Sequence, residues 1–274
     1  MPSRLDQIAA ATRRKIAQSR ARTDLRLLKR QAQNHTLRGF RQILQSGSRN
    51  GFSIIAEMKK ASPSRGLIRA DFDPAKLARE LELAGAAALS VLTDEEFFQG
   101  SLDNLQQASA STQLPCLRKD FIVDEFQLLE ARACCADAVL LIVAALSAAE
   151  LSTLARAARN HELDILCEVH DEEEVQRAID AGCDLIGVNS RDLRTFTVDL
   201  ETAFRLAASI PKNVIRVAES GIHSGVDIAR LRAAGYQAFL IGESLMKANS
   251  PGNSLRALIA EASSDKLSVV RESP

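Results

Sequence analysis

Residues 181–189, Ala-Gly-Cys-Asp-Leu-Ile-Gly-Val-Asn, join the end of a predicted helix to a predicted buried strand. Glycine just past a helix end lets the chain turn, and the short apolar run that follows is typical of a strand. The same alanine–glycine pair precedes strand-like runs at residues 84–85 and 234–235. A pattern that returns with each unit indicates equivalent βα units, which a closed barrel provides better than an open sheet.

Short apolar runs alternate with longer amphipathic stretches from Ser53 onward, as in a parallel sheet built from βα units. Strands are predicted at 53–59, 87–92, 114–118, 138–143, 164–169, 185–189, 214–218 and 238–241. Helices are predicted at 74–84, 124–134, 148–160, 172–181, 200–208 and 226–234. Eight βα units in this length predict an α/β protein with a (β/α)8 TIM barrel, and the dinucleotide fingerprint of a doubly wound sheet does not occur.

The segment before the first strand is predicted to be helical, because Leu5, Ile8, Thr12 and Ile16 are spaced along one helix face. Its many basic residues also suit a nucleic-acid-binding arm or a transit peptide. The apolar stripe and the interspersed acids favour a helix that packs on the barrel. We therefore predict one domain over 1–274, with an N-terminal helical extension over 1–50 and the barrel over 51–274.

Composition and charge exclude several classes of protein. The 274 residues are 46% hydrophobic and 26% charged, with 35 basic and 35 acidic side chains, so no net field attracts nucleic acid or an anionic membrane. The longest apolar run, 138–146, is far shorter than the ~18–20 residues that cross a bilayer. The N-terminus does not match a secretory signal. A cytoplasmic protein without nucleic-acid or membrane partners is predicted.

The cysteines and histidines give little indication of a disulfide framework or a metal site. An odd number of cysteines without CxxC spacing suits a reducing compartment, and those within apolar runs are expected to fill the core. The four histidines show no metal-ligand spacing. The five cysteines are Cys116, Cys134, Cys135, Cys167 and Cys183.

Charged residues close the first and third strands, at the carboxyl ends where a barrel holds its catalytic groups. Glu57 and Lys59 share one side of the first strand, and the interior is favoured over a surface ion pair because helices cover the outside. The third strand ends with Arg118-Lys119-Asp120. Alternation permits either Lys119 or its two neighbours to face inward, and the pattern alone does not choose.

The fifth and sixth strands also end in polar residues. Glu168 lies in an apolar run, where burial is expected to raise its pKa toward that of a usable base. His170 is more typical of a helix cap or a surface residue. Asn189 and Arg191 offer an amide and a guanidinium that can grip a carboxylate.

The seventh and eighth strands end in small residues, at Ser220-Gly221 and at Gly242-Glu243-Ser244. Loops after these strands form the recurring phosphate site of this fold, where backbone N–H groups approach the anion. Plain turns or caps explain either glycine singly but explain their paired location poorly. A phosphorylated substrate is predicted.

Residues 55–66, Ile-Ala-Glu-Met-Lys-Lys-Ala-Ser-Pro-Ser-Arg-Gly, closely resemble the IAE-x-K-x-x-SPS-x-G signature of the indole-3-glycerol-phosphate synthases. The resemblance continues in order through 98–101, 117–122, 168–170, 187–193, 218–222 and 241–246. It departs at Ser190, where the family more commonly has a second asparagine. The likeness spans essentially the whole barrel.

This resemblance implies a reaction of tryptophan biosynthesis without cofactor or metal. The substrate is a small phosphosugar, 1-(2-carboxyphenylamino)-1-deoxyribulose 5-phosphate, and the products are indole-3-glycerol phosphate, carbon dioxide and water. The resemblance carries the catalytic lysine of the family onto Lys119 and leaves structural roles to Arg118 and Asp120. Other tryptophan-pathway enzymes remain open as protein partners.

The strand ends and the resemblance together give two sets of candidate residues. The catalytic set is Glu57, Lys59, Lys119, Glu168, Asn189 and Glu219. The set that binds the substrate and its phosphate is Ser62, Pro63, Phe98, Phe121, Arg191, Leu193, Ser220, Gly221, Gly242 and Glu243. Lys119 is expected to be the acid of ring closure and Glu168 the base of dehydration, with Glu57 and Lys59 orienting and balancing charge. The division between the two lysines is left open.

Two other functions are compatible with a phosphate-binding barrel. A phosphoribosylanthranilate isomerase-like barrel is expected to use a cysteine and an aspartate, whereas lysine and glutamate close the strands here. The other is a non-catalytic phosphosugar-binding barrel that serves as a subunit of an assembly. Only an activity assay can distinguish it from an enzyme.

Overall fold

A computed structural model of the chain describes residues 4–47, 51–192 and 195–264. Eight parallel strands close into a barrel, in which each strand pairs with the next along the chain and the last pairs with the first. The barrel strands β1–β8 are Ser53–Met58, Ala88–Leu92, Cys116–Lys119, Ala138–Ile142, Asp164–Val169, Leu185–Asn189, Ile215–Glu219 and Ala238–Ile241. The predicted (β/α)8 barrel is confirmed, and strand bounds differ from the prediction by at most two residues.

Helices surround the barrel, and several begin at side-chain caps such as Asp73, Ser147 and Ser224. In the described residues, α1–α13 are Arg4–Arg22, Leu25–Gln33, Phe40–Ser46, Pro74–Leu83, Glu95–Phe98, Leu102–Ala110, Glu125–Ala133, Ala148–Asn160, Glu172–Asp180, Glu201–Ala207, Gly225–Ala233, Glu243–Lys247 and Pro251–Ala262. None of these helices has the length and hydrophobicity needed to cross a bilayer.

The barrel interior is filled in layers, because side chains of a strand alternate between its two faces. An apolar layer fills the middle of the barrel and includes Ile55, Leu117, Leu166, Val217 and Leu240. The residue two positions further along each of these strands faces the same side, one layer nearer the carboxyl ends. Those positions hold Glu57, Lys119, Glu168, Glu219 and Gly242. The apolar layer is therefore a floor beneath the chemistry-bearing residues.

The N-terminal extension packs on the barrel, as predicted. Leu5, Ile8, Thr12 and Ile16 of α1 are all buried, which confirms the predicted apolar face. Phe40 and Leu44 of α3 are fully buried and join the same interior cluster as Ala88 and Ala138. Since those alanines begin their strands, α3 closes the amino-terminal end of the barrel. The predicted boundary at residue 50 lies outside the described residues, and the division into extension and barrel stays a prediction.

A buried carboxylate ties the segment between α2 and α3 to the barrel. Asp137 accepts hydrogen bonds from the Arg38 guanidinium, with a shortest distance of 2.6 Å, and from the backbone N–H groups of Arg38 and Cys116. His35 Nε2 lies 3.0 Å from the same carboxylate. We call His35, Arg38 and Asp137 the Asp137 clamp.

The expectation that cysteines fill the core is confirmed for Cys116, Cys167 and Cys183, which are buried in the main hydrophobic cluster, but the sequence did not predict that two of them pair. Cys167 and Cys183 form a disulfide. Neighbouring parallel strands bring them together: Cys167 lies in β5 in register with Ile186 of β6, and Cys183 lies two residues before β6 begins. Sequence spacing does not reveal this contact. Cys116, Cys134 and Cys135 are free.

Candidate active site

A cavity of about 260 Å³ opens at the carboxyl ends of the strands. Its walls combine the predicted catalytic and binding residues Glu57, Lys59, Ser62, Pro63, Phe98, Lys119, Phe121, Glu168, Asn189, Arg191, Glu219, Ser220, Gly221, Gly242 and Glu243. Leu193 lies outside the described residues. The fold thus brings the predicted residues into one site, while their individual roles stay predictions.

Lys119, at the end of β3, lies among three carboxylates. Its Nζ donates a hydrogen bond to Oε2 of Glu168 at 2.8 Å and lies 3.6 Å from Oε2 of Glu219. Burial alone lowers the pKa of this amine, but the negative charges around it, chiefly those of Glu168 and Glu57, raise it well above its ordinary value. Lys119 is therefore an ammonium, available as a proton donor.

The inward choice on β3, which alternation left open, falls on Lys119. Arg118 faces the surrounding helices, where its guanidinium donates to the Gln127 carbonyl at 2.7 Å and to Asp120 at 2.9 Å. Asp120 also accepts the Thr93 hydroxyl at 2.6 Å. This buried network fixes the backbone on either side of Lys119.

Glu168 and Glu219 are both buried, and their environments move their pKa values in opposite directions. Burial raises the pKa of Glu168, but the charges of Lys119 and His170 outweigh it and hold the pKa below the usual range. The expectation of a raised pKa for Glu168 is therefore wrong. Burial raises the pKa of Glu219, and the charges of Glu168 and Glu57 support that shift against Lys119. The pair combines an ionised carboxylate with a neutral carboxylic acid.

Gly187 and Gly242 leave space for two of the carboxylates. A Cβ at Gly187 would collide with Oε1 of Glu219, and one at Gly242 would lie 2.5 Å from Oε1 of Glu57. Gly242 thus has a packing role in addition to the backbone approach predicted for it.

Glu57 and Lys59 both line the cavity, as the two-residue period predicts. Lys59 Nζ donates to Oε1 of Glu57 at 2.6 Å. Burial raises the pKa of Glu57, but the charges of Lys59 and Lys119 lower it below its ordinary value. The pair provides a fixed carboxylate and a second cation.

The wall predicted to bind phosphate includes loops after β1 and β7. A short antiparallel ladder of Ala61–Ser62 with Gly66–Leu67 shapes the first loop. Among the described residues, the buried Ser62 hydroxyl has no hydrogen-bond partner. Ser220 and Gly221 both have left-handed backbone, with φ of 65° and 77°, so the chain turns sharply at the cavity. Free donors and a tight backbone turn suit an anion.

Glu243, at the start of α12, gathers three cations at the rim. Its carboxylate lies 3.4 Å from Arg191, 3.1 Å from Arg65 and 2.6 Å from Lys247. The Arg191 backbone N–H donates to Oδ1 of Asn189 at 3.0 Å, which places the guanidinium over the cavity. Arg65 was not predicted as a site residue, although its place inside the 55–66 signature is a usable signal.

The apolar wall contains Phe98 and Phe121, whose ring centroids are 6.3 Å apart. Leu140 and Ile142 of β4 extend this wall. Such a surface suits a flat aromatic ring. Within the described ranges, no group of three or more His, Cys, Asp or Glu side chains is arranged to hold a metal ion.

His170 directly precedes the N-cap of α9 and its ring contacts Glu174 in the first turn of that helix, as expected for a residue at a helix cap, but its side chain is only 15% exposed and lies beside Glu168. Nδ1 is 3.0 Å from Oε2 of Glu174, and Nε2 is 3.5 Å from Oε1 of Glu168. The sequence shows His170 next to a strand end, but only the fold shows which carboxylates enclose it.

Fold and cavity define a (β/α)8-barrel enzyme with acid–base groups at the carboxyl ends of its strands. The profile of the family described as "Indole-3-glycerol phosphate synthase" matches residues 5–258. The chain belongs to the indole-3-glycerol phosphate synthase family, whose members are carboxy-lyases of tryptophan biosynthesis.

Two curated relatives with the same name match this chain over nearly their whole length. The indole-3-glycerol phosphate synthase of Koribacter versatilis (strain Ellin345) is 57% identical over 259 residues, covering 94% of this chain and 100% of the relative. That of Leptothrix cholodnii (strain ATCC 51168 / LMG 8142 / SP-6) is 46% identical over 258 residues, covering 93% and 98%.

Solved structures of distant sequence share the fold. A 3-hexulose-6-phosphate synthase superposes with a TM-score of 0.61 at 13% identity, covering 76% of this chain and 99% of that one. A thiamine phosphate pyrophosphorylase from Pyrococcus furiosus gives 0.59 at 18% identity, covering 78% and 98%. At these identities the likeness concerns the barrel alone.

Proposed function

We propose that the cavity converts 1-(2-carboxyphenylamino)-1-deoxyribulose 5-phosphate into indole-3-glycerol phosphate, carbon dioxide and water. The observation that carries this proposal is the arrangement of Lys119, Glu168 and Glu219, which places an ammonium, a carboxylate and a neutral acid together above an apolar floor. Ring closure followed by dehydration needs these three kinds of group.

Lys119 acts in ring closure. The aromatic carbon that bears the carboxylate attacks the ribulose carbonyl carbon, and the carbonyl oxygen gains negative charge as the carbon–carbon bond forms. The Lys119 ammonium stabilises this oxygen and protonates it to a hydroxyl. Carbon dioxide then leaves, and its bonding electrons restore the aromatic ring.

Glu168 and Glu219 act in dehydration. The neutral Glu219 protonates the departing hydroxyl, which leaves as water while electrons from the ring nitrogen compensate the loss. Glu168, held ionised, removes a proton from the carbon next to nitrogen, and the indole forms with its N–H retained. Glu57 and Lys59 orient the substrate and balance charge around both steps.

Binding is divided among the remaining walls. Arg191 pairs with the anthranilate carboxylate in bidentate fashion, and Pro63, Phe98 and Phe121 hold the ring. Ser62, Ser220, Gly221 and the backbone at Gly242 receive the phosphate, with Glu243 holding the cations at the rim. Arg191→Lys should raise KM, because lysine does not reproduce the bidentate pairing.

Inorganic phosphate provides a probe of the anion site. It should compete with substrate in the parent enzyme, and Gly221→Ala should weaken this competition and raise KM with a smaller effect on kcat. The reason is that an added Cβ would lie 2.8 Å from Val198 and would strain a left-handed turn. Unchanged inhibition by phosphate in Gly221→Ala would remove this part of the proposal.

The decisive experiment is incubation of the full chain with the carboxyphenylamino-deoxyribulose phosphate while indole fluorescence is followed. The fluorescence of the indole-3-glycerol phosphate product should appear with the parent and be lost in Lys119→Met. Turnover of phosphoribosylanthranilate without indole formation would favour the isomerase alternative. Binding of the phosphosugar without turnover would favour the non-catalytic alternative.

We also infer that the chain acts in the cytoplasm as a single domain without nucleic acid. The equal numbers of basic and acidic residues support the last point. Three free cysteines suit a reducing compartment, whereas the disulfide between Cys167 and Cys183 does not. Fractionation of cells that express the full chain tests the location, and a single cooperative unfolding transition tests the domain division.

A further inference from the structure

His170 lies between two carboxylates at the edge of the cavity. Glu174 of α9 accepts both the His170 backbone N–H, at 2.8 Å, and the ring Nδ1, at 3.0 Å, on the same oxygen. On the other side of the ring, Nε2 is buried and lies 3.5 Å from Oε1 of Glu168. The second oxygen of Glu168 accepts Lys119 at 2.8 Å. The carboxylate of Glu168 therefore has one cation-forming side chain at each oxygen.

Glu174 determines which nitrogen carries a proton. An ionised carboxylate only accepts hydrogen bonds, so Nδ1 of His170 is protonated. A neutral ring would then turn a bare lone pair toward Glu168, whereas an imidazolium offers it an N–H. Burial lowers the pKa of His170, but the hydrogen bond to Glu174 and the charges of Glu168 and Glu174 raise it above its ordinary value. The cation facing this group of acids from β3 is Lys119.

We propose that His170 is a positioning residue for Glu168, holding Oε1 of that carboxylate while Lys119 holds Oε2. The proposal rests on the proposed function, in which Glu168 is the base of dehydration. Lys119 gives up its proton during ring closure, and its attraction for Glu168 weakens at that point. His170 is then the cation that still fixes the orientation of the base and keeps it ionised for the next step.

Proton NMR of the ring C–H groups tests the contact directly, since the chain has four histidines that single variants can assign. Glu168→Gln removes one of the two carboxylates, and we expect the pKa of His170 to fall by about 1 pH unit or more, the size of effect that a charge at this distance has. Glu174→Gln should also lower it. His161, whose nearest acid is Glu125 at 3.9 Å, is the matched control and should titrate as before. An unchanged titration of His170 in Glu168→Gln would overturn the proposal.

Kinetics tests the consequence. His170→Gln should lower kcat about 10-fold with little change in KM, less than the 10²–10⁴-fold expected for losing the base itself. In a Glu168→Gln background, the same substitution should have no further effect on kcat, because its target is gone. His161→Gln should keep the parent kcat. An equal loss from His170→Gln in both backgrounds would indicate a merely structural role and overturn the proposal.

The two readouts separate this inference from the proposed function. If the parent chain forms no indole, the proposed function fails, while the NMR titration still decides whether His170 and Glu168 are coupled. If the parent forms indole and His170→Gln has the parent kcat at every pH, only the positioning role fails.

Discussion

Lys59 and Lys119 line the same cavity but have different partners. Lys59 bonds Glu57 at 2.6 Å, whereas Lys119 bonds Glu168 and lies near Glu219. Lys119→Met should depress kcat by about 10²–10⁴-fold with a modest change in KM, because a proton donor acts only in the transition state. Lys59→Met should raise KM and let an intermediate accumulate in quenched single turnovers. The reverse pattern would exchange the two roles.

Gly187 permits the position of the Glu219 carboxyl. Gly187→Ala should lower kcat, because its Cβ collides with Oε1 of Glu219 and displaces this acid. The free energy of unfolding should fall by only about 1–3 kcal/mol, as in other overpacked sites. Steady-state kinetics and urea unfolding measure the two effects. Gly66→Ala is the control for an added methyl group without a collision: no atom lies within 4 Å of its Cβ, and its left-handed φ of 65° strains the backbone but displaces no carboxylate. A parent-like kcat in folded Gly187→Ala would show that Glu219 tolerates displacement.

At the scale of an element, the Asp137 clamp anchors the segment that leads into α3. Asp137→Asn leaves His35 and Arg38 without their carboxylate, and losing one partner of a buried ion pair costs about 3–5 kcal/mol of unfolding free energy. Urea unfolding measures this loss. Glu150→Gln removes the charge of an exposed pair with Arg13 and can keep the capping box with Ser147, so it should cost about 1 kcal/mol or less. Equal effects of the two substitutions would contradict the anchoring role.

For the whole molecule, the same clamp predicts a pH dependence of stability. The hydrogen bond to Asp137 raises the pKa of His35 to about 9, against the effect of burial. A group whose pKa is raised in the folded state contributes stability that is fully present below its unfolded pKa, here about 6.5. That contribution is lost as the pH rises through the folded pKa of about 9. Urea unfolding should be measured at several pH values from about 6 to about 10. The free energy of unfolding should decline more steeply with pH for the parent than for His35→Gln. Parallel curves would exclude this contribution.

Most of the fold was predictable from local sequence because each strand is a short apolar run bounded by cap and glycine signals. Helices α5 and α12 were not predicted, because they are too short for a helical period to reveal them. Helix α13 was not predicted either, because it lies after the last strand and no further strand follows it to complete a βα unit. The N-terminal face of Leu5, Ile8 and Ile16 was predictable for the opposite reason, since its apolar positions repeat over about three helical turns.

The members of the site were predictable from strand ends, but their charge states were not. The pKa of Glu168 depends on Lys119, which is 49 residues away, and on His170, whose orientation is fixed by Glu174. The alternation of side chains along β3 does not show whether Lys119 or Arg118 faces the barrel interior. The hydrogen bond of Arg118 to the Gln127 carbonyl of α7 decides this, because it places Arg118 on the outer face. Contacts between strands, including the disulfide of Cys167 with Cys183, depend on which strands become neighbours.

The apolar floor beneath the cavity separates two kinds of evolutionary change. Ile55, Leu117, Leu166 and Val217 pack in the barrel interior, and the next inward residue on each strand lines the cavity. A lineage can therefore replace the reacting groups while the layer that maintains the fold stays as it is. To engineer a new activity, substitutions should therefore be made at the last inward residue of each strand, and the apolar layer below should be kept unchanged.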